Sequence, residues 1–532
     1  MSRWTVWLKR LGFGLLAGLT AALVMTAVMA LLRLLLGISP PAELLGDRIV
    51  PTIDVREFIR IIIRYGGPEQ AKEVPIKATI AGQLAVGALA GVVYSLVVKE
   101  STGQRRWSVG RISVSHRGVF FASILVLILW VISLAVFWPV LQSNYLGIPP
   151  RFAGIATATA MLVAYVSYGV TAMLAYHAVA GPFRVADQTT DDRAPNAGRR
   201  SLLVGGVGIA AAVAGFGTIR TLYQRSTFFY DGKRYHPADA QYIVPVDQFY
   251  LVTKNVIDPV VHPSLWRLEI DGLVEHPHSY GFDELTALPL TKQDTTLECI
   301  SNQVGDGLIS NAEWTGVPLR DLLNRAVLKP GIKRVLFRAV DGYTDTIPLD
   351  KALEPTTLVA YRMNGQPLPH HHGYPVRIIV PGRFGEKNVK WITRIEPIAE
   401  ETKGYYESQG WGPTFIPATL SRFDFPRNDQ TLKLASDLPI KVRGIASAGD
   451  RGITRVEVSV DDKKTWQDAL LDPRGSKLTW RLWNFDWSPT QPADYHLWVR
   501  ATDGTGAVQT VEHYDIVPDG SSGFDRVTVH VA

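Results

Sequence analysis

One cysteine, Cys299, stands in 532 residues. That scarcity excludes an internal disulfide, an iron–sulfur cluster on four cysteine ligands and a C-x-x-C-H haem attachment. Any metal chemistry that needs protein sulfur must use this one thiol. Also lacking is a concentrated basic face. The net charge is +6, but the excess Lys and Arg lie in short stretches between apolar segments and are not interleaved with aromatics. That arrangement points to membrane topology and away from nucleic acid. Hydrophobic residues make up 47% of the chain, an average over a greasy first part and a more polar second part. Two or three units are expected at this length.

Four segments, roughly 11–36, 76–98, 118–141 and 153–177, carry the long apolar runs that a bilayer core of ~30 Å requires of a helix. Arg33, near the end of the first, has a side chain long enough to snorkel to the interface. A fifth run, Ser201 to Ile219, is rich in Gly and Ala and only just long enough to span. Basic residues resist translocation, so their placement orients the bundle. Arg3, Lys9 and Arg10 precede the first run; Lys99, Arg105, Arg106, Arg111 and Arg117 join the second to the third; Arg184, Arg193, Arg199 and Arg200 follow the fourth. Only Arg151 lies between the third and fourth. The N-terminus is therefore expected in the cytoplasm, and five crossings put everything after about 220 outside.

The loop 37–75, expected outside, fits this rule poorly because it holds Arg48, Arg56, Arg60, Arg64 and Lys72, offset by Asp47, Asp54, Glu57, Glu69 and Glu73. Arg56, Arg60 and Arg64 recur every four residues beside Phe58, Ile59, Ile62 and Ile63. The spacing predicts an amphipathic helix, lying either in the membrane interface or as a short surface helix on the bundle. The pair Arg199–Arg200 before a weakly apolar run is similar to a twin-arginine export signal, and also satisfies the positive-inside rule. His116 and His177 sit at helix ends, where a haem held between them is not expected. The membrane part is read as an anchor and a contact surface for a quinone-linked or cytochrome redox partner.

Residues 221–247 hold turn and loop formers and read as a linker. Beyond it, Trp266 to Val274 alternates as a strand, whereas Pro318 to Ala326 has helical spacing with Pro in its first turn. Mixed α and β structure follows over 248–411. From about 412, alternating pairs at Ile440/Val442, Val456/Val458, Leu497/Val499 and Val527/Val529 are separated by Gly, Asp or Pro turns, which predicts an antiparallel, immunoglobulin-like β-sandwich over 412–532.

The chemistry lies in Thr296 to Leu319, T-L-E-C-I-S-N-Q-V-G-D-G-L-I-S-N-A-E-W-T-G-V-P-L. A lone Cys is most often a small buried hydrophobe. Here Glu298, Ser301 and Asn302 surround it, with a glycine-containing loop behind, and a thiolate suits a thiophilic metal. The run L-E-C-x-S-N followed by W-T-G-V-P-L closely resembles the molybdenum-ligand loop of the sulfite oxidase family. The likeness recurs, in order, at V-A-Y-R-M-N-G-Q-P-L-P (359–369), H-G-Y-P-V-R-I-I-V-P-G (372–382) and N-V-K-W (388–391).

This resemblance implies an α+β molybdopterin domain in which Cys299 gives its thiolate to molybdenum and a pterin dithiolene completes the site. His372, Arg377, Asn388, Val389 and Lys390 would hold the pterin and its phosphate, for which a guanidinium and an ammonium are suited donors. Gln248 to Asn255 resembles the family's loop over the cofactor, making Tyr250, Lys254 and Asn255 candidates, with Asp341 beside them. Tyr361 matches the family's active-site tyrosine, and Arg451 occupies the place of an arginine brought to the substrate from the second domain. His370 and His371 fall outside the pattern and are expected at the surface. No arginine follows Cys299 closely, where Gln303 and Val304 stand, and Lys254 replaces another; Arg383 and Lys387 would supply replacement charge or form a solvated loop. R-V-E-V-S-V-D-D-K-K-T-W (455–466) and W-R-L-W (480–483) resemble the family's dimerisation domain and imply a homodimer.

The expected activity is two-electron oxygen-atom transfer on a small oxyanion or sulfoxide-type compound, with electrons passed to a membrane partner. A folded cofactor protein would need export in the folded state, which favours the twin-arginine reading. The alternatives are a non-catalytic sensor or binding protein on a membrane bundle, and repair of oxidised methionine.

Overall fold

A computed structural model describes residues 3–98, 106–109, 112–142, 147–148, 150–186, 197–225, 241–434 and 439–532. The chain forms two compact units, one of residues 1–50 and 69–228, the other of 51–68 and 229–532. Most of the expected linker, 226–240, lies outside the described residues, as do Lys99, Arg105, Arg111 and Arg193.

The first seven helices in chain order are α1 (Arg3–Leu36), α2 (Pro41–Ile49), α3 (Val55–Arg64), α4 (Pro68–Val97), α5 (His116–Phe137), α6 (Pro150–Ala186) and α7 (Ala197–Gln224). Five stretches, Trp7–Leu36, Pro68–Val97, His116–Val140, Phe152–Ala180 and Leu203–Gln224, are long and apolar enough to cross a membrane. They coincide with the expected runs because apolar length is a local property of the chain. Gly14 and Gly18 of α1 meet Gly87 and Gly91 of α4 so closely that a Cβ at any of the four would collide with the opposite helix. Small residues of this kind let helix backbones approach where lipid offers no hydrophobic drive. Arg33 does not snorkel as expected: it is buried and its Nε lies 3.0 Å from the Glu43 carboxylate of α2. A charge inside apolar packing needs a partner more than it needs the surface. His177 is likewise buried, its Nε2 3.4 Å from the Tyr94 hydroxyl.

In the second unit two five-stranded sheets carry the α+β part. One pairs Gln366–Pro367, Leu358–Met363, Ile309–Pro318 and Thr291–Glu298 in that order, with Arg377–Ile379 also against Leu358–Met363. The other runs His278–Tyr280, Leu268–Ile270, Ile392–Ile398, Arg334–Ala339, Thr344–Pro348. The helix expected from Pro318 forms as Leu319–Ala326 with Pro318 as its N-cap, and buries Leu319, Leu322 and Leu323 on one face. The strand expected over Trp266–Val274 is shorter, Leu268–Ile270, because Gly272 turns at φ +82 and Val274 bridges to Leu328 instead.

The C-terminal part is two sheets, one of Leu420–Phe425, Ile440–Ser447, Arg481–Trp487 and Leu470–Leu471, the other of Gln430–Leu432, Asp525–Val531, Ala493–Asp503, Ile453–Ser459 and Gln467–Asp468. Val442, Trp483 and Phe485 from the first share one core with Val456, Leu497 and Val527 from the second. The alternating pairs read from the sequence are the inward positions of these strands.

Helix α3 departs from the expectation that it packs on the bundle. Its amphipathic form is as read, but it belongs to the unit that holds the α+β domain. Its apolar face packs there, with Val55 buried at 2% exposure.

Candidate active site

Cys299 follows directly on strand Thr291–Glu298, where the chain leaves the sheet in a tight turn. Its N–H donates to Leu308 O at 2.9 Å and its carbonyl accepts from Asn302 N at 2.9 Å. The Asn302 side chain closes the loop, donating from Nδ2 to Glu298 Oε1 at 3.2 Å and accepting from Leu308 N at 2.9 Å. Cys299 is 9% exposed and belongs to one apolar cluster with Phe249, Tyr250, Leu308 and Ile379. Ser301 Oγ is 3.1 Å from its sulfur. Gly385 forms a facing wall: a Cβ there would lie 2.7 Å from the Tyr250 hydroxyl and 3.8 Å from Cys299 Cα.

Arg377 begins a strand paired with Ala360, on the sheet face that Cys299 shares. Its guanidinium is buried, donates to the carbonyls of His372 at 3.1 Å and Asn388 at 2.9 Å, and lies 5.1 Å over the Trp314 ring. Its Nε has no hydrogen-bond partner, and it pairs with no carboxylate among the described residues. Burial pushes its pKa down to about 10. Burying an unpaired cation costs several kcal/mol, roughly, unless an anion joins it. This orphaned donor, with one thiol nearby, fits an anionic organic cofactor that carries a thiophilic metal. Among the described residues no three His, Cys, Asp or Glu side chains are placed to share a metal ion. A cofactor must then bring most of the metal's ligands itself.

The remaining cofactor candidates gather around Arg377. His372 is buried, its Nε2 3.3 Å from Val246 O and its ring edge-on to Phe249. Burial first, then the Arg377 charge, pushes it down to about 3, so it is neutral. Asn388 holds the turn by accepting from Val380 N at 2.7 Å and donating to Phe384 O at 3.0 Å. Val389 contributes its carbonyl, accepting from Ile378 N at 2.8 Å. Lys390 Nζ donates to Val252 O at 3.2 Å and His371 O at 3.1 Å, tying the Gln248–Asn255 loop to the histidine turn. Asn255 donates to Asp341 Oδ2 at 2.9 Å, and Lys254 Nζ lies 4.0 Å from the same oxygen. Tyr250 is buried beside the thiol; burial, and then negative charge on Cys299, push its hydroxyl well above the ordinary value, with Arg377 opposing.

Several expected roles change. Tyr361 is the neighbour of Ala360 on one strand, so its side chain enters the opposite face and packs in the other core, with Val359 and Ile378, not beside Cys299. The residue lines a cavity of about 270 Å³ with Lys292, Thr315 and Arg362, and its hydroxyl is buried without a hydrogen-bond partner. Tyr361→Phe is therefore expected to keep kcat/KM within about threefold of wild type in a steady-state assay. Arg451 has a carboxylate partner, its Nε 2.9 Å from Asp503 Oδ2, and also donates to Pro417 O at 3.0 Å. His370 and His371 are half-buried at the surface and are not free there. They sit in a 3-10 turn His370–His372, where His371 Nδ1 is 2.9 Å from the buried Asp258 carboxylate. Lys387 adds no spare charge, because its Nζ lies 2.6 Å from buried Asp345 and 3.6 Å from Glu407.

Two groups escaped the sequence reading. Glu386 is held above the usual carboxylate range, at about 8, by burial, and neither oxygen has a hydrogen-bond partner. The Trp411 indole N–H is buried without a partner as well. Glu298 is also raised to about 8 by burial, against Asn302, Arg422 and Arg451. Burial of this kind appears only in the folded chain, so the sequence signal for Glu386 was no more than its place in P-G-R-F-G-E-K. An acid with a folded pKa of about 8 against an ordinary 4.5 holds a proton that the unfolded chain releases. Stability from this group is thus full below 4.5 and is lost as pH rises through about 8. Glu386→Gln should raise the melting temperature by roughly 2–4 °C at about pH 8.5 and scarcely at about pH 5. A calorimetric pH series checks this.

Residues 255–406 match the family described as "Oxidoreductase molybdopterin binding domain", and residues 421–530 match "Mo-co oxidoreductase dimerisation domain". The chain is 30% identical over 276 residues to a protein of Arabidopsis thaliana named "Sulfite oxidase", covering 43% of this chain and 70% of that one. It is 30% identical over 320 residues to "Sulfite oxidase, mitochondrial" of Drosophila melanogaster, covering 51% and 55%. The chain thus spans little more than half the length of that mitochondrial relative. The sulfane dehydrogenase SoxCD from Paracoccus pantotrophus superposes with a TM-score of 0.45 at 26% identity, over 52% of this chain and 76% of that one.

Proposed function

Since this chain belongs to the sulfite oxidase family of molybdopterin-dependent oxidoreductases, we propose that it is a membrane-anchored enzyme that transfers an oxygen atom to or from a small oxyanion or sulfoxide-type substrate. The observation that carries this is the buried Arg377 guanidinium, without a carboxylate among the described residues, on the same sheet face as the chain's one thiol. When bound, the cofactor supplies the two-electron chemistry. The protein's part is to hold and orient.

Cys299 would ligate the metal as a thiolate, fixed by the backbone turn that Asn302 closes. Arg377, Lys390, Asn388, Val389 and neutral His372 would grip the pterin and its phosphate, with Asn255, Lys254 and Asp341 bracing the loop above. Tyr250 and protonated Glu386 would keep protons near the thiol on Tyr Oη and Glu Oε. Lys387 and Arg451 are already paired with carboxylates, and no arginine stands at Gln303 or Val304. A doubly charged anion would be held weakly for that reason.

The five apolar helices support an anchor in a bacterial cell membrane, and the arginine placement supports a catalytic domain outside the cytoplasm. Electrons would leave singly to a membrane cytochrome or quinone-linked protein, and Arg199–Arg200 would serve folded export. The match of residues 421–530 to a dimerisation domain supports a homodimer. Dye-linked assays of the loaded full-length protein with sulfite and with methionine sulfoxide test the reading. Turnover of either is expected; turnover of neither, with molybdenum present, would leave the sensor alternative.

A further inference from the structure

We propose that helix α3, which the membrane part lends to the catalytic domain, is the outer wall of the thiol's site and restricts it to small substrates. This rests on the function proposed above and names its substrate class: free small oxyanions or sulfoxides, not sulfoxides borne on proteins.

Helix α3 is flanked in sequence by α2 and α4 of the helical unit, yet residues 51–68 group with 229–532. Asp54 caps it, accepting from Arg56 N at 2.9 Å. Val55, with Ile59 beside it, enters an apolar cluster of Ile300, Phe384, Trp411, Phe415 and Ile516. Two of these residues are the immediate neighbours of the site. Ile300 follows Cys299, and Phe384 precedes Gly385, whose missing Cβ leaves room beside Cys299 Cα and the Tyr250 hydroxyl. The start of α3 also covers Gly410, where a Cβ would stand 3.6 Å from Asp54 Oδ2 and 3.7 Å from Val55 Cγ1. The helix therefore shares one apolar core with both chain segments that wall the thiol. Its other face turns Arg56, Glu57, Arg60 and Arg64 outward, so the wall presents more cations than anions to an approaching anion.

The arrangement agrees with an independent line. Counting basic residues puts the loop 37–75 on the same side of the membrane as everything after about 220, as docking of α3 requires. The wall is attached to the anchor at both ends, so a protein-sized substrate would have to displace a tethered helix.

Cys299 is the sole cysteine, which makes the thiol its own reporter of access. The full-length protein, prepared without cofactor, is treated with iodoacetamide and, separately, with a maleimide on a large polyethylene glycol chain. Val55→Asp with Ile59→Asp, which puts charges into the buried contact and frees α3, should speed the large reagent at least about tenfold relative to the small one. Val55→Ala, the milder variant, should move the ratio the same way by about threefold. Unchanged ratios in both variants, with circular dichroism and melting as in wild type, overturn the proposal. On loaded protein the double variant should also gain activity on a methionine-sulfoxide peptide relative to free methionine sulfoxide. If loaded wild type turns over nothing, the enzyme reading fails while the labelling result still decides the wall.

Discussion

Replacing Cys299 by alanine should abolish turnover, by at least about a thousandfold, while the protein folds and melts as wild type. The thiol's contribution to packing is small: alanine fills nearly the same volume, and the turn around it is held by backbone bonds to Leu308 and Asn302 that do not involve sulfur. A cavity-forming change of this size costs only about 1 kcal/mol. Activity on the proposed reading, in contrast, would need the one sulfur the chain possesses. The comparison of dye-linked turnover with thermal melting separates a chemical role from a structural one. A variant with half the wild-type rate would remove the thiol from the reaction.

The second large effect is expected at Arg377. Its guanidinium spans two carbonyls, His372 O and Asn388 O, and its Nε has no hydrogen-bond partner among the described residues. Lysine retains the charge but offers a point where arginine offers a planar fork. Arg377→Lys should therefore lower cofactor retention about 10- to 100-fold, the cost usual when a supporting group around a metal cofactor is lost. Arg377→Met should lower it further, because the buried cation that would balance the phosphate is gone. Release of pterin fluorescence after denaturing equal amounts of purified protein reads the retained cofactor directly. Full retention in both variants would mean that the guanidinium only ties the loop together.

These effects trace to features that differ in how openly the sequence carries them. The five apolar helices and the inward pairs of the C-terminal sheets were legible, because length and alternation are properties of adjacent residues. The Cys299 loop was legible through four ordered motifs. The face on which Tyr361 falls was not. It depends on how Leu358–Met363 registers with Ile309–Pro318, where the pairing shifts between Thr315 and Gly316, and one residue of shift reverses every side chain. The pairing of Lys387 with Asp345 and of His371 with Asp258 joins residues 42 and 113 positions apart, beyond any local pattern. Helix α3 shows the same limit. Its apolar stripe announced that it must be covered, and Val55 and Ile59 mark the covered face, but the covering surface comes from Ile300, Phe384 and Trp411 far along the chain.

Oxygen-atom transfer at this site would require a bond between the Cys299 sulfur and molybdenum. X-ray absorption at the molybdenum edge, on loaded full-length protein beside Cys299→Ser, counts the sulfur atoms around the metal. The predicted result is one more sulfur in wild type than the pterin provides, lost in the serine variant. An identical sulfur shell in the two proteins would contradict it.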